Sequence, residues 1–157
     1  MHRFFPQFVT GAGAVGLLLV RVVMGAAFMF HGWSKIQSPG GVFGWMGKEA
    51  PIPGPLQGMA VLAEFGGGLA LIPGFLTPLA AFGIAITMIV AFGTVHVPSR
   101  NAFVAPPGKP SFELVAVFFA NAVLLILVGP GKLSLDGILF ANKVESRRGP
   151  VTATQRT

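Results

Sequence analysis

The chain has 157 residues, of which 53% are hydrophobic and only 10% charged, and its mean hydropathy is +0.74. This number of polar side chains is too small to cover the surface of a soluble domain of this size. The composition therefore predicts an integral membrane protein. The net charge of +6 does not indicate nucleic acid, because all basic residues except Arg21 lie in predicted loops and termini. The absence of cysteine excludes disulfides and thiol chemistry.

Four long apolar stretches predict an all-α integral membrane protein, a bundle of four transmembrane helices. Crossing a bilayer takes roughly 17–25 apolar residues, and continuous rather than alternating hydrophobicity favours helices over strands. The predicted spans are residues 11–33, 55–72, 79–96 and 112–128. They form a single membrane domain over residues 1–140, followed by a polar, basic tail over residues 141–157 that we expect to be flexible.

The connections between the spans predict how the spans are arranged. Residues 34–54 are rich in Gly and Pro but contain Phe43 and Trp45, which suit the membrane interface. The tight turn 73–78 makes the second and third spans antiparallel neighbours. Prolines make the loop 97–111 irregular, and residues 134–140 suit a short interfacial helix. Six basic residues on the side of the termini against four on the other favour cytoplasmic termini and a multi-pass protein in the cell membrane.

Ionisable and amide side chains within or beside the spans are the functional lead. Such groups are expensive in hydrocarbon, so they face a bundle interior or a polar cavity. A helix rises about 1.5 Å per residue, which predicts two polar layers below the 34–54 loop. The deep layer holds Arg21, Glu64 and Asn121, and the shallow layer holds His31, Lys35, His96 and Glu113.

Each of these residues also has a structural interpretation. Equal depth predicts an ion pair between Arg21 and Glu64, which stabilises the bundle without excluding a functional role. Asn121 is either a hydrogen-bonding link between helices or a ligand contact. Lys35 by itself is typical of an interfacial lysine, whose aliphatic chain lies in the apolar region while its ammonium group reaches the water.

The two histidines at the ends of spans leave a second choice open. His31 and His96 end spans on the same side, and with Glu113 they offer ligands for a metal, or by themselves for haem. Neither HxxE nor HxxxH spacing is present, so hydrogen bonding at the interface is the stronger interpretation and no metal is assigned.

Several motifs together resemble the DoxX family of small four-helix membrane proteins. The resemblance covers residues 18–136. It is carried by Arg21, Phe30-His31-Gly32, Lys35, Glu64-Phe65-Gly66-Gly67, Gly74-Phe75-Leu76-Thr77-Pro78-Leu79-Ala80-Ala81, Val95-His96, Glu113 and Gly129-Pro130-Gly131-Lys132-Leu133-Ser134-Leu135-Asp136.

The resemblance implies a function linked to redox chemistry, since the family includes the membrane subunit of a thiosulfate:quinone oxidoreductase. The expected protein is a redox-associated, quinone-interacting membrane subunit; if it is an enzyme, it belongs to a quinone-linked oxidoreductase. Glu64 or Glu113 would act as proton donor, and the ligand contacts would come from Arg21, His31, Lys35, His96 and Asn121. Membrane lipids and partner subunits, but no nucleic acid, are the expected partners. The alternative is a structural or accessory subunit of a larger membrane complex without its own activity.

Overall fold

The computed structural model describes residues 8–47 and 49–145, and over these residues the chain is helical without a strand. An isolated bridge joins Ala102 and Ser111. Two π-helical turns interrupt the α-helices: Leu62–Gly66 joins the second helix to the third, and Phe92–His96 extends the fourth. The helices are α1 (Gly11–Ile36), α2 (Gly54–Val61), α3 (Gly67–Leu71), α4 (Thr77–Ala91), α5 (Glu113–Val128) and α6 (Leu135–Glu145).

The helices confirm the predicted all-α class. Among the described residues, Gly11–Ile36 and Thr77–His96 are long and apolar enough to cross a membrane, and Glu113–Val128 is a shorter apolar helix. The number of crossings, predicted as four, stays a prediction. The helix expected at residues 134–140 is present but continues to Glu145, so the first part of the predicted tail is helical. The remainder of that tail lies outside the described residues.

The turn between α3 and α4 is tight, as predicted, and the two helices pack against each other. It contains Gly74 with φ +74° and Leu76 with φ +47°, both in the left-handed region. Thr77 and Pro78 then open α4, where proline suits the first turn because its missing N–H is not needed there. The predicted antiparallel neighbours are therefore adjacent.

Glycines set the close contact between α1 and the helical run 54–71. A Cβ built on Gly32 would lie 2.6 Å from the backbone nitrogen of Phe65, and one on Gly25 would lie 2.7 Å from the carbonyl oxygen of Gly68. Only residues without a side chain allow the two backbones to approach this closely. These two contacts fix which residues of α1 face which residues of α3 and the π turn.

The 37–53 loop folds over the outer end of α2. The Phe43 ring packs on Gly58, with ring atoms 2.6 and 2.8 Å from the position that a Cβ would take there. The Trp45 indole Nε1 donates to the carbonyl of Gln57 at 3.3 Å. The buried Gln57 side chain donates to the carbonyl of Ile52 at 2.8 Å and accepts from the backbone N–H of Met46 at 3.1 Å. This packing ties the loop to α2.

At the opposite end of the molecule, the segment before α6 is tied to the turn between α3 and α4. We call this contact the latch, formed by Leu133–Asp136 on one side and residues 73–77 on the other. Asp136 accepts hydrogen bonds from the backbone N–H of Leu76 at 2.8 Å and of Thr77 at 2.9 Å. Its own N–H donates to the carbonyl of Gly74 at 3.0 Å. Asp136 thus caps the start of α4 from about sixty residues away in the chain.

A packed apolar core fills the space between the two ends. It includes Phe28 of α1, Leu71 of α3, Ile84 of α4 and Leu125 of α5, all 1% exposed or less. Thr87 of α4 is also buried, and its hydroxyl donates to the carbonyl of Ile84 in the same helix. The buried charged side chains among the described residues, Arg21, Glu64 and Asp136, lie outside this apolar cluster.

A first prediction concerns the glycine contact. Gly32→Ala should lower the free energy of unfolding by about 1–3 kcal/mol, because its methyl group meets the backbone of Phe65 and forces the helices apart. Gly16→Ala on the same helix is the matched control, since nothing lies within 4 Å of its Cβ. Alanine is the better helix former, so the control should be unchanged or slightly more stable. Thermal unfolding in detergent, followed by circular dichroism, measures both; equal melting temperatures would contradict the close contact.

A second prediction concerns the latch. Asp136→Ala should cost about 2–4 kcal/mol, because it removes the cap of α4 and the charge that balances a buried arginine nearby. Asn121→Ala is the control, since the Asn121 amide bonds only a carbonyl of its own helix among the described residues. The same unfolding assay applies. A loss for Asp136→Ala no larger than that of the control would show that the latch does not stabilise the fold.

Candidate functional site

A partly buried ion pair lies where the outer end of α1 meets the π turn. Lys35 Nζ is 2.6 Å from Oε1 and 2.5 Å from Oε2 of Glu64, with side-chain exposures of 19% and 5%. Among the described residues no other donor reaches this carboxylate. The π turn adds one residue to the helix at Glu64, a distortion that is frequent at functional sites.

The loop covers this pair with an aromatic ring. Lys35 Nζ lies 4.2 Å from the centroid of the Trp45 ring, close enough for a cation–π attraction. Trp45 is in turn held by Gln57 through the hydrogen bond to its carbonyl. We call Lys35, Trp45, Gln57 and Glu64 the mouth site. It combines an ammonium group, a nearly buried carboxylate and an aromatic face.

The predicted pair between Arg21 and Glu64 is wrong, because Glu64 bonds Lys35 instead. The prediction assumed that the end of α1 and the start of α2 lie level. The close contact of Gly32 with Phe65 sets the register, so Glu64 lies beside Lys35, which is about 21 Å of helix from Arg21. Lys35 is correspondingly an ion-pair partner rather than an isolated interfacial cation.

Arg21 belongs to the opposite end of the molecule. Its side chain is wholly buried, and its Nη2 donates to the carbonyl of Leu133 in the latch. Its Nε and Nη1 have no hydrogen-bond partner among the described residues. Asp136 supplies the opposite charge that attracts the guanidinium. The predicted deep layer is therefore divided between two distant places.

The structure does not gather His31, His96 and Glu113 into one ligand set. His31 is exposed, with its ring centroid 6.4 Å from that of Phe118, whereas His96 Nδ1 lies 2.9 Å from the amide nitrogen of Asn101. Glu113 is exposed at the start of α5. In the described part of the chain, no three His, Asp or Glu side chains stand close enough to hold a metal ion. The hydrogen bond of His96 agrees with the interfacial interpretation.

Asn121 makes its hydrogen bond within its own helix. Its amide nitrogen donates to the carbonyl of Val117 at 2.9 Å. That bond links no second helix and leaves ligand contact at Asn121 a prediction. Of the residues predicted for the site, only Lys35 and Glu64 are in direct contact among the described residues.

An apolar groove lies on the outer side of the contact between α1 and α3. Its volume is about 360 Å³. Phe65, the residue after Glu64, forms part of its wall, and the Trp33 ring centroid lies 6.0 Å from that of Phe65. The Gly32–Phe65 contact separates the groove from the mouth site. The wall is formed by Ala26, Met29, Phe30, Trp33, Phe65 and Ile72.

Two positions that hold the structure around these charges were missed from sequence. Gln57 is a polar residue inside the second apolar stretch, so the rule that singled out Glu64 could also have found it. Asp136 stands in a quoted motif, but its role depends on a turn that is distant in sequence. No local signal could have shown that contact.

Comparisons with known proteins agree with the resemblance. The DoxX family model matches residues 16–97. The chain is 33% identical over 126 residues to "Inner membrane protein YqjF" of Escherichia coli (strain K12), covering 80% of this chain and 92% of that protein. It is 28% identical over 139 residues to "Putative oxidoreductase CatD" of Bacillus subtilis (strain 168), covering 88% and 96%.

A Haemophilus influenzae relative described as an uncharacterized protein is 26% identical over 125 residues. No solved structure matches the chain. The family match spans more than half of the chain, and the relatives are covered over nearly their whole length. Together with the apolar helices, these matches establish that the chain is a membrane protein belonging to the DoxX family.

Proposed function

We propose that this protein is a redox-associated membrane protein whose mouth site binds the ring of a quinone. A relative named as an oxidoreductase supports the redox assignment. The chain has no cysteine, so it offers no thiol for electron transfer. A partner subunit that carries a redox cofactor supplies the electrons in this proposal.

The single observation that carries the proposal is the sparse bonding of Glu64. A carboxylate has about four acceptor positions, and a purely structural ion pair is best stabilised when its remaining positions are also hydrogen-bonded. Here Lys35 is the only described donor to a side chain that is 5% exposed. These free positions are acceptors, so they suit a ligand that donates, such as a hydroxyl of the reduced quinol, whereas Lys35 supplies the donor for the oxidised ring.

The residues of the mouth site have the chemistry that quinone reduction requires. The reduction takes up two electrons and two protons and converts both carbonyl oxygens into hydroxyls. The Lys35 ammonium can donate a hydrogen bond and then a proton to one ring oxygen, while the Glu64 carboxylate, 2.6 Å away, holds that ammonium in position. The second ring oxygen takes its proton from water at the membrane surface. The partly exposed Lys35 can regain a proton from water at the membrane surface. The Trp45 ring gives an aromatic face against which a quinone ring can stack.

The apolar groove next to Phe65 extends the proposal to a quinone with a hydrocarbon tail. Its walls carry no polar group, so it suits a hydrocarbon chain rather than a headgroup. A ligand with its ring at Lys35 would have to pass over the Gly32–Phe65 contact to reach the groove. This part of the proposal is separate from ring binding.

Trp45 provides a direct reporter of ring binding. In a Trp33→Phe background Trp45 is the remaining tryptophan, and a quinone with a ten-carbon tail should quench its fluorescence saturably. Lys35→Met should weaken this binding roughly tenfold or more, because a hydrogen bond from a charged donor is lost. Glu64→Gln should leave affinity within about threefold, since Lys35 keeps its donor hydrogens. Fluorescence titration in detergent measures all three.

Lys109→Met is the matched control, because Lys109 is an exposed lysine of the 97–111 loop. It should bind the quinone as the background protein does. Quenching that never saturates, or that Lys35→Met leaves unchanged, would refute quinone binding at the mouth site. Stoichiometric partner proteins in a mild-detergent purification, without saturable quenching, would instead favour an accessory subunit.

A further inference from the structure

The first turn of α6 is fixed to the body of the protein, whereas its continuation is not covered. The backbone N–H of Leu135 donates to the carbonyl of Pro73 at 3.0 Å, and the latch holds Asp136. After Gly137 no described helix packs lengthwise against α6. Whatever covers this part of α6 therefore comes from outside the described chain.

The uncovered part of α6 is strongly apolar. Ile138 is 67% exposed, Leu139 58% and Phe140 47%. Leu135, Ile138 and Leu139 stand at i, i+3 and i+4, so they share one face of the helix. Leu133, just before the helix, is also 49% exposed. Consecutive exposed side chains of this size are unfavourable in water and mark a membrane or protein contact.

The charges beside α6 in the sequence indicate whether this contact is with a membrane or with a protein. From residue 132 onward the sequence holds five basic residues and two acidic ones. One of the two acids, Asp136, is buried in the latch, which leaves Glu145. Lys132 is exposed beside Leu133. The basic residues are Lys132, Lys143, Arg147, Arg148 and Arg156.

We infer that α6 and the basic residues beside it in the sequence bind the anionic headgroup surface of the bilayer, with Ile138 and Leu139 inserted among the acyl chains. An amphipathic helix binds such a surface through buried apolar area and through attraction to anionic lipids. Each basic residue near an anionic surface adds roughly fivefold in affinity. The apolar helix α5 ends shortly before α6, so α6 starts close to the lipid. This surface is separate from the mouth site, which lies at the other end of α1.

The absence of cysteine allows a test with one labelled position. Leu139→Cys carries an environment-sensitive fluorophore, and Ser99→Cys, an exposed position in the 97–111 loop, is the control. Each full-length protein is placed in nanodiscs of neutral phosphatidylcholine or of phosphatidylcholine with phosphatidylglycerol. Spin-labelled lipids then report contact with acyl chains, and iodide reports contact with water.

The Leu139 label should be quenched by spin-labelled lipid and protected from iodide, at least about twofold more in the anionic nanodiscs than in the neutral ones. High salt should reduce that difference. The combined variant Lys143→Gln, Arg147→Gln, Arg148→Gln should abolish it, whereas Arg100→Gln should leave it unchanged. The Ser99 label should stay accessible to iodide.

Three results would overturn the inference. A Leu139 label open to iodide would show that α6 lies in water. A label protected from both iodide and lipid would show that a second copy or another protein covers the face. Equal lipid quenching in neutral and anionic nanodiscs would refute the role of the basic residues. Unchanged melting temperatures of the labelled and substituted proteins show that the fold is intact in each case.

Discussion

The close contact between α1 and the helical run 54–71 sets the positions of Arg21, Lys35 and Glu64. Gly25 and Gly32 let the backbone of α1 meet that of Gly68 and Phe65 without intervening side chains. This register brings Lys35 to Glu64 and, about 21 Å away along α1, brings Arg21 to the turn that follows α3. A larger residue at either glycine would shift both ends together.

The latch and the mouth site lie on opposite sides of the apolar core and have different roles. At the latch, the wholly buried Arg21 ties the segment before α6 to α1 through the carbonyl of Leu133, and Asp136 ties it to the start of α4, so both charges serve the fold. At the mouth site, Lys35 and Glu64 bond mainly each other under an aromatic ring and stand close to the surface. Lys35 is therefore a charged group that a ligand can reach, whereas Arg21 is wholly buried.

The sequence predicted the helices well, because continuous apolar stretches bounded by Gly and Pro leave few alternatives. It also singled out Lys35 and Glu64, since an ionisable group in an apolar stretch is costly wherever it lies. It paired Glu64 with Arg21 instead of Lys35, because depth was counted from the ends of the stretches, whereas the Gly32–Phe65 contact sets the register. The capping of α4 by Asp136 joins residues about sixty positions apart, which no local pattern reports.

The most direct test of the account is the coupling free energy between Lys35 and Glu64. A double-mutant cycle with Lys35→Met and Glu64→Gln, measured by reversible unfolding in detergent, isolates it from other effects of each substitution. The account predicts that the losses of unfolding free energy in the two single variants sum to more than the loss in the double variant, by more than about 1 kcal/mol. Losses that simply add would show that these two residues are not partners in the folded protein.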